Sequence, residues 1–197
     1  MLVAVSLGVA YRADIGDSNG EVLWSPYNHL RVRTGGDNID DGFTIDVNNQ
    51  FLLSGFDLSP DAVHPPGLPL EDGPKITSLV DYFNFPFELT QPDSVLILGA
   101  GVGNDIAAAQ RAGVSQITAV EIDCRVAEYG ADHHPEQPHA GAELVIDDAR
   151  SYLRSSNDKF DLVLSTNLDA HGLLASSSSV QLDSFVEPWC SWRWLCT

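Results

Sequence analysis

Three glycines at alternate positions interrupt an apolar run in the segment VLILGAGVGND, residues 95–105. Gly99 can adopt a turn that is closed to other residues. Gly101 and Gly103 allow the backbone to approach a ligand without an intervening Cβ atom. A helix that begins after them would present free N–H groups and the positive end of its dipole to that ligand. The pattern therefore predicts a ligand-binding turn between a strand and a helix.

Two acidic residues follow this turn at the ends of the next two apolar runs. Glu121 in AVEID lies eighteen residues after Gly103, where a carboxylate can accept hydrogen bonds from both hydroxyls of a ribose. Asp148 in VIDDAR can accept a hydrogen bond from the exocyclic amine of an adenine. Singly, Glu121 could be an exposed acid and Asp148 could cap the helix that begins at Ala149. Together they favour an adenosine-type ligand.

The glycine spacing favours a ligand of the S-adenosylmethionine type over NAD. The dinucleotide fingerprint is G-x-G-x-x-G, and Asn104 stands where its third glycine belongs. S-adenosylmethionine-type ligands accept G-x-G-x-G. The residues predicted to contact the nucleoside belong to the turn and to the two strand ends: Gly99, Ala100, Gly101, Gly103, Asn104, Glu121, Ile122, Asp148 and Ala149.

The elements that would position these residues predict an α/β domain. From Gln91 onward, short apolar runs alternate with helical stretches, which is typical of a doubly wound parallel sheet. Strands are predicted at residues 95–98, 116–121, 143–146 and 160–165. Helices are predicted at residues 105–111, closed by Gly113, at 125–129, ending at Gly130, and at 149–155.

The first half of the chain predicts a different organisation. Residues 1–60 favour short β-strands, with a tight turn at Asn48-Asn49. Residues 57–75 hold five of the eleven prolines and predict a connector. A helix that follows is expected to end before Pro86. We expect a β lobe at 1–60, a Pro-rich connector and helix at 61–90, a Rossmann-like nucleoside-binding domain at 91–186 and a Trp-rich tail at 187–197.

The composition restricts the partners. Ten Lys and Arg face 28 Asp and Glu, for a formal net charge of −18, which disfavours nucleic acid and anionic membranes. A small cationic substrate fits such a field, although composition alone favours the simpler explanation that the acidity keeps the protein soluble or reflects a salty cell interior. Three cysteines without a C-x-x-C pair favour a cytoplasmic protein without a thiolate zinc site.

Two further segments bear on membranes and metals. The apolar N-terminal run of about ten residues is too short for a membrane span, which needs about 20. The segment DHHPEQPH, residues 132–139, has the composition of a metal site, but its prolines and irregular spacing predict a solvated loop over the nucleoside site instead. We therefore expect no metal and no membrane span in this chain.

Five segments occur together in the order found in spermidine synthase-like proteins: SPYNHLRV, LILGAGVGNDIAAAQRAG, AVEID, IDDARSYLR and FDLVLSTNLDAHGLL. The chain thus resembles the polyamine aminopropyltransferases of the class I S-adenosylmethionine-dependent methyltransferase superfamily, in their divergent bacterial branch, over about residues 24–186 with gaps. The resemblance implies a small N-terminal β lobe, a Rossmann-like domain, and decarboxylated S-adenosylmethionine or S-adenosylmethionine as substrate. It also implies that Glu121 holds the ribose hydroxyls and Asp148 the adenine amine, above the glycines.

Two acids of that family are replaced in this chain. The Asp that meets the aminopropyl ammonium is matched by Val102, and the Asp that helps deprotonate the attacking amine is matched by Thr166. An amine with an unperturbed pKa of about 10.4 is protonated at pH 7, so a carboxylate must take its proton as the C–N bond forms. Asp169 is the best remaining base, unless it caps a turn, and Asp105 is a candidate contact for the ammonium.

These observations leave three functions open. An aminopropyltransferase-like enzyme is favoured by the motif order and the acidic charge. A methyltransferase on the same fold suits Val102, and a nucleoside-binding module without turnover suits the short C-terminus. A domain of this type continues beyond LDSFVE with a helix and two strands, so we expect a sheet truncated at its C-terminus. A homo-oligomer would be one way to cover the edge strand at residues 160–165.

Overall fold

The computed structural model describes residues 20–34, 42–48, 51–62 and 78–165 of the 197-residue chain. Thr166, Asp169 and the Trp-rich tail lie outside the described residues. So do the N-terminal apolar run and most of the Pro-rich connector.

The N-terminal part forms a four-stranded antiparallel sheet in the order β1-β2-β3-β4. Its strands are β1 (Glu21–Trp24), β2 (His29–Thr34), β3 (Phe43–Val47) and β4 (Phe51–Gly55). Alternate side chains of β2 and β3 are buried on one face, as the two-residue period of a strand requires: Leu30, Val32, Phe43 and Ile45.

The second half of the chain forms a four-stranded parallel sheet in the order β7-β6-β5-β8. Its strands are β5 (Ser94–Leu98), β6 (Gln116–Glu121), β7 (Glu143–Ile146) and β8 (Leu162–Ser165). The chain runs outward from β5 to β7 and then returns to the other side of β5. The order therefore reverses beside β5, and ligands of open α/β sheets bind at such a reversal. The predicted α/β fold class is confirmed.

The described residues also form four α-helices: α1 (Leu79–Thr90), α2 (Asn104–Arg111), α3 (Cys124–His133) and α4 (Ala149–Ser155). A single turn of 3₁₀-helix spans Pro138–Gly141. The side chains of the two central strands, β5 and β6, are almost all buried, as expected for a parallel sheet that is covered on both faces.

The prediction that the first helix ends before Pro86 is wrong, because Pro86 lies inside α1. Proline removes one hydrogen bond from a helix. Here both Pro86 and Phe87 are buried, so core packing offsets that loss. Thr90 Oγ1 also donates to the Pro86 carbonyl oxygen at 2.7 Å. The helix ends instead at Thr90, and the capping residue Gln91 that follows has a left-handed backbone with φ of 47°.

The prediction that Gly130 ends a helix is also wrong. Gly130 lies inside α3, which runs to His133. A Cβ atom at position 130 would collide with the backbone carbonyl group of Val102 in the glycine turn. The absence of a side chain therefore allows α3 to approach the turn closely.

The segment at residues 132–139 is not a solvated loop. His134 is 1% exposed and Pro138 is buried. The Pro138 carbonyl oxygen accepts a hydrogen bond from Nε2 of Gln110 in α2 at 2.6 Å. The segment therefore packs against α2, and sequence composition alone could not distinguish such packing from solvation.

Candidate functional site

The glycine turn, residues 99–105, follows β5 at the reversal of strand order. Gly99, Gly101 and Gly103 have φ of 76°, 55° and 108°, a left-handed region that favours glycine. The N–H groups of Gly99 and Ala100 both donate to the Val120 carbonyl oxygen, at 2.9 and 3.0 Å. The turn is thereby fixed to the carboxyl end of β6.

Glu121 ends β6, and its carboxylate faces the glycine turn. Its Oε2 accepts from the Gly101 N–H at 2.8 Å, and its Oε1 accepts from the Asp123 N–H at 2.9 Å. The side chain is 8% exposed, and this burial raises the pKa of Glu121, against the lowering effect of the Asp123 and Gly101 N–H groups. Each carboxylate oxygen has capacity for a further hydrogen bond, so a ligand hydroxyl can still be accepted.

Asp148 precedes α4 at the end of the neighbouring strand, β7. Its Oδ1 caps α4, accepting from the N–H groups of Arg150 and Ser151 at 3.0 and 3.1 Å. Asp148 therefore does cap the helix that begins at Ala149, the alternative role given above. Its Oδ2 makes no hydrogen bond to the residues that the structure describes. Ala149, the first residue of α4, is 8% exposed.

Two large apolar side chains are exposed at the same edge of the sheet. Ile122 follows Glu121 directly and is 40% exposed. Ile146 ends β7, pairs in register with Glu121 and is 49% exposed. Exposed apolar groups beside a buried acid are typical of a small-molecule site.

Asn104 begins α2, and its side chain is occupied by protein groups. Its Nδ2 donates to the Ser54 carbonyl oxygen at 2.7 Å, and its Oδ1 accepts from the Phe56 N–H at 3.1 Å. Any contact of Asn104 with a nucleoside therefore falls to its backbone N–H in the first turn of the helix. Asp105, the next residue, is 3% exposed.

Val102 points from the glycine turn toward the N-terminal sheet and is 2% exposed. It belongs to an apolar cluster, termed here the junction cluster, which also contains Leu30, Val32, Phe43, Ile45, Val126 and Tyr129. The position that carries an acid in the resembling family is therefore occupied here by a packed apolar side chain.

Asp123 lies beside Glu121 in the candidate site and was not among the residues predicted from the sequence. It is 2% exposed and caps α3, with Oδ1 accepting from the Arg125 N–H at 3.0 Å. Its Oδ2 accepts from Ser25 Oγ at 2.6 Å and from Asn28 Nδ2 at 2.8 Å. An Asp before a helix signals a cap, but its contacts lie 95 and 98 residues away and left no local signal.

The described ranges contain neither a cluster of metal-ligating side chains nor a helix suited to a membrane. No group of three or more His, Cys, Asp or Glu side chains there is arranged to hold a metal ion. None of the helices in those ranges is long and apolar enough to cross a bilayer.

No family model matches the chain. The chain is, however, similar to curated proteins. It is 34% identical over 93 residues to the polyamine aminopropyltransferase of Thermoplasma volcanium, and the aligned segment covers 44% of this chain and 34% of that relative. The corresponding enzyme of Korarchaeum cryptofilum is 35% identical over 89 residues, covering 43% and 28%. The match thus spans about a third of these relatives' length. The similarity to polyamine aminopropyltransferases is confirmed over that part.

Solved structures are similar in outline. A spermidine synthase in complex with the transition-state analogue AdoDATO has a TM-score of 0.49 and 17% identity, covering 76% of this chain and 47% of that chain. The spermidine synthase of Thermotoga maritima has a TM-score of 0.46 and 18% identity, covering 73% and 47%.

Proposed function

We propose that the parallel sheet binds an adenosyl-sulfonium nucleoside and that the chain belongs to an aminopropyltransferase-type enzyme. The observation that carries the proposal is the hydrogen bond between the glycine turn and Glu121. A buried carboxylate at the end of β6 accepts the Gly101 N–H at 2.8 Å, directly at the reversal of strand order, where open α/β sheets bind nucleosides.

The nucleoside would lie along the carboxyl edge of β5, β6 and β7. Glu121 would accept the ribose hydroxyls, and Oδ2 of Asp148 would accept the adenine amine while Oδ1 continues to cap α4. Ile122 and Ile146 would supply apolar contact to the base. The glycines and Ala100 would lie beneath the nucleoside, with Asn104 and Ala149 contributing helix N-termini.

The proposed reaction forms a C–N bond between an amine and the aminopropyl carbon next to the sulfonium. The C–S bond breaks, the sulfur leaves as a neutral thioether, and the amine loses a proton. Alignment of the two groups supplies much of the acceleration, and a carboxylate takes the proton. Asp169, outside the described residues, is the proposed base. Asp105, buried at the start of α2, is the proposed contact for an ammonium.

Methyl transfer from S-adenosylmethionine is the second candidate. It is favoured by Val102, which is enclosed in the junction cluster and offers no carboxylate to an aminopropyl ammonium. A substrate whose sulfonium carries the full methionine group does not need an acid at that position.

The remaining parts of the proposal concern organisation and partners. We propose a small cationic amine as acceptor, in keeping with the net charge of −18, together with a cytoplasmic location and a homo-oligomeric state. We also propose the division into a β lobe at 1–60, a connector and helix at 61–90, a nucleoside-binding domain at 91–186 and a tail at 187–197.

Calorimetry with S-adenosylmethionine, its decarboxylated form and methylthioadenosine tests the proposal. Glu121→Gln should weaken binding by about tenfold or more, because a ribose hydroxyl loses a charged acceptor. Glu128→Gln, an exposed acid of α3 paired with Arg125, is the matched control and should bind normally. Thermal unfolding of both variants separates loss of binding from loss of fold.

The outcomes distinguish the candidates. Product from decarboxylated S-adenosylmethionine and putrescine supports aminopropyl transfer. Preference for S-adenosylmethionine, without that product, supports methyl transfer. Binding without turnover of either kind leaves a nucleoside-binding module. Failure of all three ligands to bind the wild-type chain would overturn the whole proposal.

A further inference from the structure

A chain of hydrogen bonds connects the end of α3 to the start of α2 and then to the N-terminal sheet. Nε2 of His134 lies 3.1 Å from Oδ1 of Asn104. The same Oδ1 accepts the Phe56 N–H at 3.1 Å, and Nδ2 of Asn104 donates to the Ser54 carbonyl oxygen at 2.7 Å. We call these four residues the His134 clamp.

The backbone fixes the direction of every bond in the clamp. The Glu136 N–H donates to Nδ1 of His134 at 3.2 Å, so Nδ1 carries no proton. Nε2 of the neutral ring must then carry it and donate to Asn104 Oδ1. The orientation of the Asn104 amide follows independently, because its Nδ2 faces a carbonyl oxygen and its Oδ1 faces the Phe56 N–H.

The surroundings of His134 keep the ring neutral. The side chain is 1% exposed, and burial, with the nearby His139 and Arg111, lowers the pKa of His134 to about 4, against an opposing effect of Asp57. Arg111 is itself paired with the Glu136 carboxylate. Protonation at Nδ1 would set its new N–H against the Glu136 N–H. Nε2 keeps its proton in either state, so the conflict at Nδ1 displaces the ring, and the ring position described here is the one adopted above that pKa.

We propose that His134 is a positioning residue for the nucleoside site, acting through Asn104 to hold the first turn of α2 against β4. The inference rests on the proposed function, since its consequence is tighter nucleoside binding. Asn104 directly follows Gly103 and begins α2, so its side-chain bonds determine where the N–H groups of that helix point. A hydrogen-bond donor at position 134, held in this ring position, therefore supports the site through Asn104 and not by contact of the ring with the nucleoside.

Three variants of the full chain separate this role from packing. His134→Phe fills the space without a donor, and His134→Gln keeps a donor that does not titrate. His133→Gln is the matched control, because the adjacent His133 is exposed and stacks on Tyr129 at a ring distance of 4.0 Å. At pH 7, His134→Phe should bind methylthioadenosine about tenfold more weakly. His134→Gln should recover binding to within about threefold, and His133→Gln should match the wild type.

A second measurement needs no nucleoside. Nitrogen-15 NMR of the ligand-free protein should show His134 with a bare Nδ1 and a protonated Nε2 at pH 7. The side-chain amide of Asn104 and the backbone amide of Phe56 should shift with the same midpoint as the His134 ring, at about pH 4. Neither amide should shift at that midpoint in His134→Gln.

The NMR measurement tests the clamp itself, and the binding measurement tests its positioning role, so each claim can be overturned separately. A protonated Nδ1 at pH 7, or amides that ignore the His134 titration, would overturn the clamp whatever the protein binds. A correct tautomer with normal binding by a folded His134→Phe variant would overturn the positioning role and leave the proposed function standing. If His134→Phe does not fold, Asn104→Ala replaces it and should show the same loss. A wild-type chain that binds no nucleoside would overturn the positioning role together with the proposed function.

Discussion

The glycine turn meets two different environments on its two sides. Toward the carboxyl edge of the parallel sheet, the Gly101 N–H meets the Glu121 carboxylate, beside the exposed Ile122. Toward the N-terminal sheet, Val102 is enclosed in the junction cluster, and Asn104 is bonded to Ser54 and Phe56.

The two sides differ in the hydrogen-bonding groups that they leave available to a ligand. Glu121 and Asp148 keep hydrogen-bonding capacity beyond their protein partners. In contrast, both polar atoms of the Asn104 amide are bonded to protein groups, and Val102 is 2% exposed. One short segment therefore leaves hydrogen-bonding capacity for a ligand on one side, the proposed binding side, and attaches the N-terminal sheet on the other, the attaching side. Substitutions on the attaching side should cost stability, and substitutions on the binding side should cost affinity.

Val102→Asp breaks the attaching side most severely. An unpaired carboxylate among apolar side chains should lower the free energy of unfolding by about 4 kcal/mol, measured by urea denaturation. Val102→Ala is the control, because it removes apolar contact without adding charge and should cost about 2 kcal/mol. A Val102→Asp variant as stable as the wild type, with stronger binding of decarboxylated S-adenosylmethionine, would show that position 102 faces the ligand.

Acid should weaken the same side through His134. Its folded pKa of about 4 lies below the ordinary value of 6.5, so the unfolded chain binds more protons between these values. The stability that neutral His134 contributes is complete above pH 6.5 and should fall by about 3 kcal/mol as the pH drops to 4.

Urea denaturation at several pH values checks this figure. His139, whose pKa burial lowers, acts in the same direction, and Glu121, whose pKa burial raises, acts in the opposite one. The measured quantity is therefore the difference between the wild type and His134→Gln. Parallel pH profiles for the two proteins would contradict the prediction.

Gly130→Ala tests the close approach of α3 to the turn. Helix propensity alone favours alanine by about 1 kcal/mol, but the new Cβ atom would collide with the Val102 carbonyl group. We expect a net loss of about 2 kcal/mol. Ala131→Gly, at the exposed neighbouring position, measures propensity alone and should cost about 1 kcal/mol. A stabilised Gly130→Ala variant would mean that no close approach exists.

Sequence patterns predicted the elements whose signals are local. The strands Gln116–Glu121 and Glu143–Ile146 and the helix Ala149–Ser155 have the predicted bounds. Their signals are local: a short apolar run in each strand, and a capping Asp directly before the helix. Pro86 and Gly130 misled the prediction, since each normally breaks a helix and each is here retained by packing against distant groups.

The residues of the candidate site show the same contrast between local and long-range signals. Glu121 and Asp148 were identified from their places at strand ends, and the structure brings Glu121 to the glycine turn. The roles of Asp123 and His134 depend on partners 98 and 30 residues away. Single-sequence patterns report which residues are apolar or flexible, but they carry no information on such long-range pairing.

The smallest stability effect is expected on the binding side, at Asp148, where capping and ligand binding use different oxygens. Asparagine caps helices about as well as aspartate, so Asp148→Asn should change the free energy of unfolding by less than about 0.5 kcal/mol. Its amide nitrogen would replace the oxygen offered to an adenine amine, so methylthioadenosine should bind about tenfold more weakly. Asp148→Ala should lose about 1 kcal/mol as well, because the cap is removed. If Asp148→Asn binds normally, Asp148 is only a cap, and the binding side is reduced to Glu121 and the glycine turn.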